Sequence, residues 1–544
     1  MQRARVHTLG IQMEPVSHDR LHIESHLAFQ GGSSPVSKTD LANVSYGGER
    51  TCESRTFDAI SGKRKPVPSL ANWRPFPLFN RMGSSWAGRR PVGRPCRHPR
   101  PSPRHHGSDD PTEKMSIAAT QSRFLYLEGY RIQCSTLKSR RFTYRGLKLH
   151  IVILKGQSQY EGTRTFADQA AAAFLRRGFS VHVEDLTRAN DISGTIVATS
   201  ETQNADLVFS INIMGEFRDN SGRSVSDLFA APHVVWHTDY ILSQRDRLEG
   251  TPSSTALLLV DPTQIDTVRS LYGPDRFPHM HFFPHAAVGL EAPSDADSTA
   301  FEAARPIRVL WSGSLQQPGN TPWDTAPPQT RKVFSDAVDL ALSVEWMPPL
   351  QALDTVLTAL GMDVADPANL GARSAAAFID VEVRKTRRFE FLKAVAKTKI
   401  PVTICGVNWE SQLYRFKKAN YEGAVPMTRM ADLMQQSRIV LNTNGNFGAG
   451  SHERPFSALL AGAACFSDTS IFYQSEFDDG ADIALFKWKD LKGGMDKLVA
   501  LNSDSELCRR IASNGQKKVV ERHTWDKRIE AIITAGQSVT KRLA

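Results

Sequence analysis

Residues 149–184 read LHIVILKGQSQYEGTRTFADQAAAAFLRRGFSVHVE. Leu149–Leu154 is a near-continuous apolar run of strand length, the pattern of a strand covered on both faces. A polar loop follows from Gly156 to Gly162. Phe166, Ala170, Ala173 and Phe174 then recur at i, i+4, i+7 and i+8, one face of a helix. Gly178 stands where a C-terminal cap belongs, since glycine enters the left-handed region without steric cost. Ser180–Glu184 is the next strand. Strand, loop, helix and strand form the unit from which helix-covered parallel sheets are built.

The same pattern continues outward. Leu207–Ile213, His233–His237, Ala256–Val260 and His281–Phe283 read as strands, and a helix over Thr263–Tyr272 stops at Gly273. Glu291–Arg305, rich in Ala, Ser, Asp and Pro, breaks the pattern. It restarts with the strand Ile307–Trp311 and the small-residue turn Ser312-Gly313-Ser314. A Pro-, Gly- and Thr-rich loop, Gln316–Thr330, leads into helical sequence up to Lys399. Val402–Cys405 reads as a strand ending at Gly406, and Ile439–Asn442 as another. Glu453–Ala461 reads as a helix, Ala463–Ser467 as a short buried strand, and Leu491–Ala535 as amphipathic helix. The sequence thus predicts an α/β protein with two Rossmann-like domains facing each other across a cleft, over 147–290 and 305–540.

Residues 1–140 read differently. Lys63–Arg104 holds 11 basic residues, no acidic ones and nine prolines, a composition that cannot bury enough apolar surface to offset its ordering entropy. Residues 1–114 carry 18 Lys+Arg against 10 Asp+Glu, so +8 of the chain's +10 net charge sits there and +2 remains for the other 430 residues. Three readings of this disordered basic tail follow: a solvated linker, upstream sequence with Met115 as the true start, or a nucleic-acid-binding arm. No aromatic or repeat pattern accompanies the charge, which disfavours nucleic acid.

The sequence contains no apolar run of 18 residues and no secretory signal core. Peripheral membrane contact is left open. The six cysteines, Cys52, Cys96, Cys134, Cys405, Cys465 and Cys508, form no CxxC pair, which argues against a zinc site or disulfide framework and suits the cytoplasm.

Open α/β sheets bind ligands at the carboxyl ends of their strands. Lys155-Gly156-Gln157-Ser158 lacks GxGxxG and Ser312-Gly313-Ser314 is not a Walker loop, so dinucleotide and P-loop readings fall. The most informative stretch is Ser437–Asp468, SRIVLNTNGNFGAGSHERPFSALLAGAACFSD. A strand ends at Asn442, a Gly-rich loop follows, and a helix begins with His452, Glu453 and Arg454. An acidic residue there can simply complement the helix dipole. Free N–H groups plus Arg454 also suit a diphosphate, with a carboxylate for ribose hydroxyls. His237 and Asp239, after a strand, suit an acid/base pair facing an acceptor hydroxyl, or a satisfied polar cap. His285 invites the same two readings. Arg384-Lys385-Thr386-Arg387-Arg388 reads as a solvated helix face or, through Arg388, as a neutraliser of phosphate charge. Asp239-Tyr240 is not a DxD, and no carboxylate cluster suggests a metal.

These motifs resemble the GT-B-fold group 1 glycosyltransferases, particularly the CgeB-like, spore-maturation-protein branch. Ser437–Asn442, His452-Glu453-Arg454-Pro455-Phe456-Ser457-Ala458 and Ala461-Gly462-Ala463 through Ser467-Asp468 carry the resemblance. Arg387-Arg388, Val402–Gly406 with Trp409, Tyr421-Glu422-Gly423 and His523–Arg528 add to it. Pro232–Asp239 and Phe283–Ala287 add weaker matches in the first domain.

The resemblance implies a metal-independent transferase with no resident cofactor. A nucleotide-diphosphate sugar would be donor, and a glycan, lipid or protein hydroxyl the acceptor, for cell-surface glycan, polysaccharide or glycolipid synthesis. Gly313, Ser314, Gly406, Glu453, Arg454 and Ser457 would hold the donor, Arg388 would act on the leaving diphosphate, and His237 with Asp239 would face the acceptor. One departure stands out: the family's acidic residue after the Phe, which meets the ribose, is Ser457 here. It motivates an alternative, a catalytically degenerate binding protein of the same fold. A nucleic-acid-associated protein acting through the tail is the third reading.

Overall fold

The computed structural model describes residues 149–416, 418–445 and 447–543, together with two short strands upstream, β1 (Leu125–Leu127) and β2 (Tyr130–Ile132), paired antiparallel. The basic tail read from the sequence otherwise lies outside the described residues.

The first domain is a six-stranded parallel sheet. Its strands are β3 (His150–Lys155), β4 (Ser180–Asp185), β5 (Leu207–Ile211), β6 (His233–His237), β7 (Ala256–Leu259) and β8 (Met280–Phe282), in the spatial order β4-β3-β5-β6-β7-β8. The apolar run in β3 has the double-faced coverage its sequence asks for. Ile151 and Ile153 pack with Phe166, Phe174 and Trp236 on one side, and Val152 and Leu154 with Leu186 and Ile196 on the other. Phe166, Ala170, Ala173 and Phe174 are the buried stripe of the helix Gly162–Arg176, as their spacing predicts.

The second domain repeats the design. Strands β9 (Ile307–Ser312), β10 (Val402–Cys405), β11 (Asn420–Gly423), β12 (Ser437–Asn442), β13 (Ala464–Asp468) and β14 (Ala484–Phe486) lie parallel in the order β11-β10-β9-β12-β13-β14. Val309 and Trp311 of β9 face Phe391 and Phe466, whereas Leu310 faces Phe456 and Leu459 across the sheet. Each such fully buried side chain contributes about 1.5–3 kcal/mol relative to exposure. The chain thus holds the two Rossmann-like parallel α/β sheets that the sequence predicts.

Among the described residues, three of the connections between the domains are extensive. Helices Pro328–Ser343 and Pro349–Ala359, in the stretch after β9, pack beside Val235, Leu257 and Leu259 of the first sheet in one continuous core. Arg373 fastens this insert by a two-pronged pair with Asp354 (Nε and Nη2 each 2.7 Å) and a 2.6 Å bond to Ser270 Oγ of the first domain. The last helix, Ile529–Leu543, returns to the first sheet, burying Ile532, Ile533 and Ala535 with Phe166 and Trp236. The third connection is the loop after β12, described below.

Some elements differ from the sequence reading. The break at Glu291–Arg305 contains a helix, Ser298–Ala304, whose N-cap Asp297 accepts from Ala300 N at 2.9 Å and whose anchor is Phe301. Leu491–Ala535 is not one helix. Leu491–Ser503 and Ser505–Arg522 are separate, and Ile529 starts the third.

Candidate functional site

The carboxyl ends of β9 and β10 meet at two glycines. A Cβ on Gly406 would fall 2.4 Å from Gly313 O, so the two strand ends approach as only glycine allows. Trp311 Nε1 (3.1 Å) and Trp409 Nε1 (2.9 Å) both donate to Gly313 O and fix that turn. Above it lies a cavity of about 340 Å³, lined by Gly313, Ser314 and Gly406 from the second domain and by Gln159, Tyr160 and Gly162 from the first.

Two helices aim cations into the cavity. On Ala376–Lys397, Arg384 and Arg388 are one turn apart and both line it. Arg387, between them, points away and donates to Ala341 O (3.1 Å) and Val344 O (2.8 Å). Arg454 enters from the first turn of Glu453–Leu460, oriented by a 2.7 Å bond from its Nη1 to Asn442 Oδ1. The guanidinium carbons of Arg388 and Arg454 each lie 5.9 Å from the Trp311 ring centroid, within cation–π range.

These charges are crowded. Among the described residues neither Arg388 nor Arg454 has a carboxylate within ion-pairing distance, and the Nε atoms of both are buried without a partner. Burial, reinforced by the neighbouring Arg384 and Arg454, pulls the Arg388 guanidinium down to about 9, with Asp468 opposing. At neutral pH it stays charged but underpaired. An anion entering the cavity would relieve that repulsion.

Glu453 also lines the cavity, but its charge is engaged. His452 Nδ1 lies 2.5 Å from Glu453 Oε2. Burial works against this carboxylate, yet His452 and Arg454 outweigh it and hold it well below the usual carboxylate range. Burial pushes His452 the other way, toward the neutral imidazole. The same Nδ1 caps the helix, accepting from Arg454 N at 3.4 Å, so His452 and Glu453 form one buried pair at the helix N-terminus. His285 of the first domain stacks on His452, with centroids 5.7 Å apart, and its Nδ1 donates to Ser451 O at 2.8 Å.

Residues 384–534 match a glycosyl transferase-like family. This glycosyl transferase-like stretch carries Arg384, Arg388, Gly406, Glu453, Arg454 and Ser457, while Gly313 and Ser314 precede it. No curated protein matches the chain. Solved structures similar to it include Anabaena HepE in complex with UDP-glucose, 12% identical over 73% of this chain and 99% of that one, with a TM-score of 0.40. Others are AviGT4, a glycosyltransferase involved in avilamycin A biosynthesis (10% identity, 72% and 98% covered, TM-score 0.38), and a glycosyltransferase from Rickettsia africae (7%, 72% and 99%, 0.37).

The structure brings six of the nine residues singled out from the sequence to one cavity: Gly313, Ser314, Arg388, Gly406, Glu453 and Arg454. Three lie elsewhere. Ser457, buried in the glycosyl transferase-like stretch, accepts from Val288 N at 3.0 Å and donates to Glu453 O at 3.0 Å. His237 is fully buried at the end of β6, with Nδ1 3.1 Å from Asp239 O, and burial pulls it down to about 4. The Asp239 carboxylate accepts from Asn212 Nδ2 at 3.1 Å. Neither residue lines the cavity. Sequence reasoning passed over Arg384, Tyr160 and the dyad formed by His452 with Glu453. For Arg384 the signal was present, as i and i+4 basic residues share a helix face.

Proposed function

We propose that the protein transfers a sugar from a nucleotide-diphosphate sugar to a hydroxyl acceptor, as a GT-B glycosyltransferase of the CgeB-like, group 1 kind. One observation carries the reading: three arginines and a helix N-terminus converge, without a matching carboxylate for Arg388 or Arg454, on a cavity floored by glycines at two strand ends.

Arg384, Arg388 and Arg454 take the diphosphate, and the backbone at Gly313, Ser314 and Gly406 approaches it closely. Ala424, Val425 and Met430 form an apolar end suited to the nucleoside. Tyr160 and Gly162 bring the first domain to the sugar. In the transfer, the bond between the sugar's anomeric carbon and the phosphate oxygen breaks, with its electron pair leaving on the diphosphate. The acceptor oxygen bonds to that carbon, and its proton passes to the departing diphosphate. The arginines meet charge as it develops on the leaving group, where preorganised donors act most strongly. Glu453, kept ionised by His452, offers an acceptor for donor hydroxyls. Neither a resident cofactor nor a bound metal is part of this reading. The acceptor is a glycan, lipid or protein hydroxyl, at the cytoplasmic face for cell-surface glycan or glycolipid synthesis.

The test is release of nucleoside diphosphate from a panel of nucleotide sugars by the full chain. Arg388→Ala should lower kcat/KM by about a hundredfold or more while leaving the melting temperature near wild type. Undiminished turnover in Arg388→Ala and Arg454→Ala overturns the site. Tight nucleotide binding without any release would instead establish the degenerate binding protein.

A further inference from the structure

The arginine cavity lies over the ends of β9, β10 and β11. A second cavity, of about 320 Å³, lies over the ends of β13 and β14, with β12 between the two. The loop leaving β12 touches both. Gly445 packs against Arg384, with a Cβ there falling 3.1 Å from Arg384 Cδ, and Gly448 packs on the Trp346 indole, where a Cβ would fall 1.9 Å from Cδ2. Trp346, half-buried, is thereby held in place in the wall of the second cavity.

The wall is chemically specific. Trp346 and Ile471 supply an apolar platform. Gln351 and Gln474 line the cavity, and their side-chain amides, each able to give and accept hydrogen bonds, have no protein partner among the described residues. Lys487 is exposed at the rim, also without an ion-pair partner. The one carboxylate in the wall, Glu345, is spoken for: its oxygens accept from Trp488 N (2.9 Å) and Lys489 N (3.2 Å). An aromatic platform with convergent amides suits a ring that has apolar faces and equatorial hydroxyls. The unopposed ammonium adds a preference for an anionic substituent on that ring.

We propose that the second cavity binds an acidic sugar unit of the acceptor glycan, its ring on Trp346, its hydroxyls on Gln351 and Gln474, and its carboxylate at Lys487. This rests on the glycosyl-transfer reading and names the acceptor's class.

Saturation-transfer NMR on the full chain tests it, with glucuronic acid as the probe, glucose as the neutral control and UDP measured in parallel. Glucuronic acid should receive saturation from the wild type more strongly than glucose. Lys487→Glu should weaken its binding about tenfold or more, as expected for loss and reversal of a charge-assisted bond. Trp346→Ala should abolish it, with UDP binding unchanged in both. Lys487 is exposed, so its substitution keeps the test open even where Trp346→Ala fails to fold. No transfer to glucuronic acid from the wild type, or equal transfer from Lys487→Glu, overturns the site. UDP binding without glucuronic acid binding sinks this proposal alone. Glucuronic acid binding lost in Lys487→Glu, in a protein that ignores UDP, supports the site and removes the donor reading.

Discussion

Ser457 separates what a residue type suggests from what its surroundings permit. The resemblance read from the sequence puts it where that family has a ribose-binding carboxylate. In the fold it joins the two domains by accepting from Val288 N, and it turns its proton to Glu453 O. Ser457→Ala should cost about 1–3 kcal/mol, because a buried N–H at Val288 loses its acceptor. Ser457→Glu should cost about 3 kcal/mol or more, since it forces a carboxylate into a buried position fitted to a hydroxyl. Chemical denaturation measures both. A Ser457→Glu protein that keeps its stability and binds nucleotide more tightly would return the position to the donor site. The rest of the site was legible where chemistry sits on a helix end or a strand-end glycine, as with Gly313, Gly406, Glu453 and Arg454. His237 lies away from the cavity: the end of β6 is legible in the sequence but its burial is not. The pairing of His452 with Glu453 escaped notice because it depends on side-chain rotamers, which residue spacing does not fix.

At the scale of elements, the loop Thr443–Ser451 decides how the cavities are walled. Ser451 N donates to Val260 O at 3.2 Å and Ala449 N to Asp261 Oδ2 at 3.0 Å, so the loop is docked onto the end of the first sheet. Gly450 allows this approach, since a Cβ there would lie 2.1 Å from Val260 O. Gly450→Ala should therefore push the loop off, costing about 1–3 kcal/mol as for other overpacked sites, and raise the donor KM. Gly319→Ala, where a Cβ meets open space, is the matched control and should be silent. If the two variants melt alike, the loop is not docked as described. Long apolar elements such as β3, β9 and β12 were readable because coverage on both faces demands continuous apolar sequence. The helix Ile192–Thr202 was not, because only Ile196 and Thr199 are buried along it. The edge strands β11 and β14 escaped for a related reason. They span four and three residues, and β11 alternates exposed with half-buried positions, leaving no periodic signal.

At the scale of the whole molecule, the insert helices, the docked loop and the returning C-terminal helix each place second-domain residues in first-domain cores. Two sheets joined this way cannot lose one core without exposing part of the other, so residues 149–543 should unfold in one cooperative transition. Asp261 lies at this junction and makes its charge state readable in that transition. Burial raises its carboxyl from 3.8 to about 6, although Thr263 and Ala449 donate to it. With the folded value above the unfolded one, the native state holds the proton more tightly. The associated stability is present in full below pH ~4 and is lost as pH rises through ~6. Asp261→Asn is uncharged throughout and cannot show this loss. Relative to the variant, the wild type should therefore lose about 2 kcal/mol between pH 4 and pH 7.5. Calorimetric melts of both proteins at the two pH values read the number and the cooperativity together. A stability difference independent of pH would place Asp261 in solvent rather than at the junction, and two resolved transitions would mean that the three connections do not couple the sheets.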